Sequence, residues 1–278
     1  MGWFTKKSPK SELTLAIEKL SSTPSVENQE RFAKILRNYV EDGTWVFMPT
    51  RQDKNGFKIH IVESRGKHYA TMYSDFDNVK KETGFDTLQA DINKIIEPVF
   101  ENIDLDGIAI NPYTNGLFLD KAFLLKCLIH AKYPTQKNAG SPPRNWGEGI
   151  PRYTEQDLMC KGELQNFSLH TVLDNDKDIQ SSFDFVSAND NPDVIPNLIL
   201  SYNDKFAFVF VKGYTTITEP ILSEYEKQTL LDLSKKYHAD CFYAPVGFLS
   251  TDPARFEAEL ALKGDAFYCK YLGLQKVE

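Results

Sequence analysis

Five histidines and four cysteines are the side chains best suited to metal binding or nucleophilic chemistry, and their spacing supports neither. His60 and His68 fall on adjacent predicted strands, where two imidazoles could face each other. No Cys or acid at metal-ligand spacing joins them. His130, His170 and His238 stand alone. Cys127, Cys160, Cys241 and Cys269 form no CxxC pair and read as reduced, mostly buried thiols. No GxSxG, P-loop, HExxH or EF-hand pattern occurs, nor a GxGxxG after a strand. One acid-and-lysine pattern remains in the second half. Pro192-Asp193 is followed, after a predicted strand and turn, by Phe208-Val209-Phe210-Val211-Lys212.

The predicted order around that pattern is a helix, a hairpin, a second helix and a strand, which resembles the core of PD-(D/E)xK nucleases. In that family an Asp and an acid two residues before the Lys hold Mg²⁺, and the Lys helps to activate water. Asp193 and Lys212 would take those places, but the position two before Lys212 is Phe210. Glu219 or Glu224 would then have to supply the missing carboxylate. The resemblance implies a Mg²⁺- or Mn²⁺-dependent nuclease if one does, and a catalytically dead relic if neither does. On the plainer reading Asp193 caps a turn, Lys212 snorkels at a strand end, and the chain uses no metal or cofactor.

The elements that would carry these residues follow from hydrophobic periodicity. Leu13, Ile17 and Leu20 share one helical face, and Phe32, Ile35, Leu36 and Val40 share another after a break at Ser21-Ser22-Thr23-Pro24. Strands are predicted at Thr44–Thr50, Phe57–Glu63 and Lys67–Ser74, with Asn55-Gly56 turning the first hairpin, to form an antiparallel meander. A helix is predicted from Thr87 through Val99, kinked or ended by Pro98. Strands at Gly107–Asn111 and Gly116–Leu119 and a helix at Lys121–Lys132 complete the first half. Pro and Gly then punctuate residues 134–153, which read as a linker carrying Trp146.

Beyond the linker a helix is predicted near 155–174, and strands near 183–188 and 195–201. The unbroken apolar run in Lys205–Lys212 marks a strand buried on both faces. Ser223 and Glu226 form a capping box that opens a helix to Tyr237, with Leu222, Tyr225, Leu230 and Leu233 inward. Cys241–Phe248 reads as a strand. Asp252 and Pro253 start a helix that Gly264 ends, and Ala266–Val277 is a final strand. Phe242, Tyr243, Phe248, Phe267, Tyr268 and Tyr271 crowd the last two strands as core or as a recognition surface.

Three short motifs in residues 30–132 resemble the N-terminal domain of the bacterial SseB (enhanced serine sensitivity) family. They are Trp45-Val46-Phe47-Met48-Pro49, the junction Tyr73-Ser74-Asp75-Phe76-Asp77-Asn78-Val79, and Gly107-Ile108-Ala109-Ile110-Asn111-Pro112. Tyr73 stands where that family has a Phe-Thr pair. The resemblance implies an α+β fold, a bacterial origin and a binding or regulatory role, with no catalytic residues to carry over. Each motif also has a structural account, with Trp45 in the core, Ser74 or Asp75 capping a helix, and Asn-Pro starting a turn.

At 278 residues, 41% hydrophobic and 26% charged, the chain has the balance of a globular protein with room for two domains. The expected organisation is a tail and first helix (1–25), an SseB-like α+β domain (26–133), a linker (134–153) and an acidic α/β domain with a mixed sheet (154–278). The start, Met1-Gly2-Trp3-Phe4-Thr5-Lys6-Lys7, has neither the apolar core of a signal peptide nor the myristoylation pattern. A cytoplasmic location without membrane insertion is expected. Residues 1–137 carry a net charge of +1 and residues 138–278 a net charge of −8. That asymmetry disfavours nucleic acid and suits a basic protein partner. The leading expectation is a non-enzymatic protein-binding or regulatory module of adaptor or immunity type. A nuclease or its relic is the alternative, and oligomeric state is left open.

Overall fold

The computed structural model describes residues 10–53, 56–79, 86–114, 116–130 and 157–278. The fold is α+β, and contacts divide the chain into two compact units, Met1–Ala131 and Lys132–Glu278. The expected linker at 134–153, with Trp146, lies outside the described residues, as does Asn55.

The first unit opens with α1 (Glu12–Ser22) and α2 (Val26–Glu41), capped by the hydroxyls of Ser11 and Ser25. Leu13, Ile17, Phe32 and Leu36 are buried along them. Strand β1 (Trp45–Asp53) pairs antiparallel with β2 (Gly56–Ile59) up to Asp53↔Gly56. The next strands are β3 (Ile61–Ser64) and β4 (Lys67–Met72), followed by the short α3 (Phe76–Val79). Then come β5 (Asp86–Asp91), α4 (Asn93–Glu101), β6 (Gly107–Ile110), β7 (Leu117–Asp120) and α5 (Lys121–Ile129). One sheet runs β2-β1-β5 and the other β3-β4-β6-β7, with β4 and β6 parallel.

Four expectations for this unit need correction. Residues 87–91 are strand, because Leu88 pairs with Met48 and Thr87 with Pro49 across from β1, and the helix begins only at Asn93. Pro98 sits inside that helix, which ends three residues later at Glu101. The strand expected at Phe57–Glu63 is divided at His60, each half joining a different sheet. His68 therefore lies opposite Glu63 rather than His60, while Thr71 N–H donates to the His60 carbonyl. Trp45 is 66% exposed, since it begins its strand opposite Asp91 at the sheet's end.

The second unit contains α6 (Lys161–Asn175), α7 (Lys177–Ser182), β8 (Asp184–Ala188), β9 (Leu198–Tyr202) and β10 (Lys205–Tyr214). It continues with α8 (Glu224–Tyr237), β11 (Asp240–Ser250), α9 (Pro253–Glu257), β12 (Phe267–Tyr271) and β13 (Gln275–Lys276). The sheet order is β12-β11-β10-β9-β8. Strands β8, β9 and β10 pair antiparallel, β10 and β11 are parallel across α8, and β12 runs antiparallel to β11. Ala207, Val209 and Val211 pack with Leu169 and Val172 of α6. On the other face Phe208 meets Tyr237 of α8 and Phe210 meets Tyr243. A strand covered on both faces has no need of polar alternation, which accounts for the unbroken apolar run.

Several details here also differ from expectation. Tyr225 points outward from the first turn of α8. The helix after Asp252 ends at Glu257, and Gly264 lies beyond it at φ +80. Gly273, at φ +98, divides the last strand into β12 and β13, both paired with β11. Helix α7, capped by Asp176, follows α6 where the periodicity gives no separate signal.

Candidate functional site

The acid-and-lysine pattern falls on the β8–β9 connection and the end of β10. Asp193 lies in a loop shaped by side-chain turns, in which Asn191 N–H bonds Asn189 Oδ1 and Asp193 N–H bonds Asn191 Oδ1. Asp193 itself is exposed. The loop closes through Asn189 N–H to the Asn197 carbonyl at 2.8 Å.

Lys212 projects on the α8 side of β10, and its ammonium lies 2.7 Å from Glu226 Oε1. Glu226 is the third residue of α8 and closes its capping box. Its Oε2 accepts the Ser223 N–H at 2.8 Å and the Ser223 hydroxyl at 2.9 Å. Burial pushes the Glu226 carboxyl up, but the Lys212 and Ser223 bonds outweigh it and hold the group below its ordinary value. The ammonium thus serves as a strut between β10 and the first turn of α8.

Glu219 bonds Gln275 Nε2 at 3.1 Å and lies 3.6 Å from Lys270 Nζ. Glu224 is the exposed first residue of α8. Neither is the acid on Lys212, a place that Glu226 takes. Phe210, at the position of the missing acid, is buried against Tyr243. Among the described residues no group of three or more His, Cys, Asp or Glu side chains is placed to hold a metal ion.

A buried polar cluster lies beside Lys212. Asn197, fully buried at the entrance to β9, accepts the Val211 N–H at 2.8 Å and donates to the Val211 carbonyl at 2.7 Å. Gln165 of α6 donates to the same carbonyl at 3.1 Å. The β9–β10 ladder ends at Leu198↔Val209, and the Asn197 amide extends it by imitating a peptide group. Sequence reasoning missed Asn197, Gln165 and Glu226 as neighbours of this strand end. The capping box was the only signal pointing to one of them.

The connection between β10 and α8 is the other conspicuous feature. Ile221 is 86% exposed and Tyr225 77%, with Ile217 half exposed before them. Ile221 also lines a cleft of ≈ 230 Å³ with Leu222, Lys227, Tyr243 and Lys276. Tyr243 closes the floor by donating to the Pro220 carbonyl at 2.7 Å, and burial pushes its hydroxyl pKa up.

Residues 162–277 match the family described as Domain of unknown function (DUF8840). The matched segment runs from α6 through β13 and so takes in the whole five-strand order, the Lys212–Glu226 pair and the cleft. No curated protein and no solved structure matches the chain.

Two of the four cysteines are buried. Burial pushes the Cys127 thiol up to about 12, against the pull of Lys126 and Arg37. Burial raises Cys241 as well. Cys160 is half-buried at the N-terminus of α6, and Cys269 is exposed on β12. Among the described residues no helix is long and apolar enough to cross a membrane.

Proposed function

We propose that this chain is a non-enzymatic binding protein of adaptor, regulatory or immunity type, whose second unit recognises a basic protein through the β10–α8 connection. The observation that carries the reading is the exposure of Ile221 and Tyr225 beside the cleft. An exposed aliphatic and an aromatic four residues apart, beside a cleft whose lining includes Glu219, Lys227 and Lys276, have the make-up of an interface centre with a polar rim. The net charge of −8 over residues 138–278 supports a basic partner and opposes binding to phosphates. The motifs of the first unit that resemble the SseB family support a regulatory role.

A second reading, a degenerate PD-(D/E)xK relic, is favoured by the strand order. The β9–β10 hairpin, the crossover helix α8 and the parallel β11 support that reading. It is compatible with the first reading, since a fold without its acid pair retains its surface. The test is affinity capture from lysate of the source cells with the wild type and with an Ile221→Asp, Tyr225→Ala double variant. A basic protein retained by the wild type, released by salt and lost with the double variant is the expected result. Equal capture by both proteins, or cleavage of DNA or RNA by the wild type with Mn²⁺, overturns it.

A further inference from the structure

The two edges of the second sheet are built differently. Strand β8 starts with Asp184 and carries a register shift between Phe185 and Ser187, both devices that discourage further pairing. Strand β12, Phe267-Tyr268-Cys269-Lys270-Tyr271, pairs with β11 in unbroken register and has no proline. Tyr268 is 66% exposed, and Leu272 just beyond it 74%.

Hydrogen-bond alternation shows which peptide groups face outward. Thr251 N–H donates to the Ala266 carbonyl, which makes those two a hydrogen-bonded pair at the start of the β11–β12 ladder. Alternate residues of an antiparallel strand bond alternate sides. Tyr268 and Lys270 therefore bond β11, while the N–H and C=O groups of Phe267, Cys269 and Tyr271 point away from the sheet. Three alternate outward sites on an edge that, among the described residues, carries neither bulge nor proline are a template for another strand.

We propose that two copies of this chain pair β12 with β12, antiparallel, about a two-fold axis through Cys269. The side chains select that partner and that register. Centring on Cys269 sets Phe267 opposite Tyr271, an aromatic cross-strand pair, and Tyr268 opposite Lys270, a cation over a ring. Leu272 meets Ala266. Centring one residue on would keep the outward peptide groups paired but set Lys270 opposite Lys270, two like charges face to face. The side-chain pairs thus make the strand complementary to itself when centred on Cys269, as an isologous interface requires. The pairing uses a different edge from the β10–α8 connection and stands whether or not that surface binds a basic protein.

Light scattering on the purified full chain tests the proposal. The expected mass at micromolar concentration is twice 31.8 kDa. Cys269→Pro removes an outward N–H that β11 does not use, and Cys269→Lys sets two ammonium groups face to face. Each should fall to the single-chain mass with an unchanged circular dichroism spectrum. A short bis-maleimide should join the two copies of the wild type. Cys269→Ser should stay dimeric but escape that cross-link. A wild type of single-chain mass overturns the proposal, whether or not it captures some other strand. So does a dimer that persists in both Cys269→Pro and Cys269→Lys.

Discussion

The side-chain amide of Asn197 holds Val211 by both of its main-chain polar groups, accepting the N–H at 2.8 Å and donating to the C=O at 2.7 Å. The contact joins residues fourteen apart and supports the strand backbone just before Lys212. An aspartate in the same place would keep the acceptor but lose the donor, setting a carboxylate oxygen against a carbonyl in a dry site.

Asn197→Asp is accordingly expected to be more disruptive than Asn197→Ala. The alanine variant leaves the Val211 N–H unsatisfied and should lose about 2–4 kcal/mol. Hydrogen exchange of the Val211 and Lys212 amides reports the change locally, without assuming that the two units unfold together. Equal protection in the wild type and both variants would show that the amide clamp is dispensable.

The Lys212–Glu226 pair should be visible as a pH dependence. A carboxyl held below its ordinary value stabilises the fold above the unfolded value and loses that contribution as pH falls through the folded one. Lys212→Met removes the ammonium and lets the Glu226 value rise. The variant should lose about 1 kcal/mol at neutral pH and show a shallower decline between about pH 5 and pH 3. Glu226→Gln should flatten the same limb while keeping an acceptor for Ser223. Thermal melts across that range decide the matter. An acid limb identical in all three proteins rules out this pair as its source.

In the first unit, Asn111 joins two of the segments that carried the family resemblance. It stands at φ +52, donates to Ser74 Oγ at 2.7 Å and accepts the Ser74 N–H at 3.0 Å, and Ser74 also contacts Thr14 of α1. Asn111→Gly should lose the two bonds, about 2–3 kcal/mol, but relieve the left-handed backbone. Asn111→Ala should be lower still by about 1 kcal/mol, the cost of a Cβ at positive φ. Chemical denaturation of the three proteins gives the order wild type, Gly, Ala. Alanine at or above glycine would show that the backbone there relaxes.

What could be read from the sequence was local. The capping box at Ser223 and Glu226, the Asp75 cap bonding Asn78 N–H and the doubly buried run on β10 depend on near neighbours, and each lies where periodicity and cap chemistry place it. The misreadings are cases in which a distant partner decides. Leu88 sits at helical spacing from Ile92, yet Met48 claims it for a strand. Trp45 looks like core but is exposed, while its neighbour Val46 takes the buried face of the strand. For the candidate site, Asp193 and Lys212 could be named, but the Glu226 partner depends on how α8 crosses β10. Periodicity carries no signal for that crossing or for the Asn197 clamp.

The strongest consequence of that local geometry concerns metal chemistry. A nuclease of the kind offered as the second reading needs two carboxylates beside its lysine. Here Lys212 is bonded to a glutamate already committed to Ser223, Phe210 fills the acid position, and Asp193 sits in an exposed loop. Calorimetric titration of Mn²⁺ is therefore expected to give no saturable heat with either the wild type or Asp193→Ala, and neither protein should cleave DNA or RNA. Saturable binding by the wild type that disappears in Asp193→Ala would instead mean that the β8–β9 loop closes on Lys212. The second unit would then have to be regarded as a working phosphodiesterase with Glu219 or Glu224 recruited as its second acid.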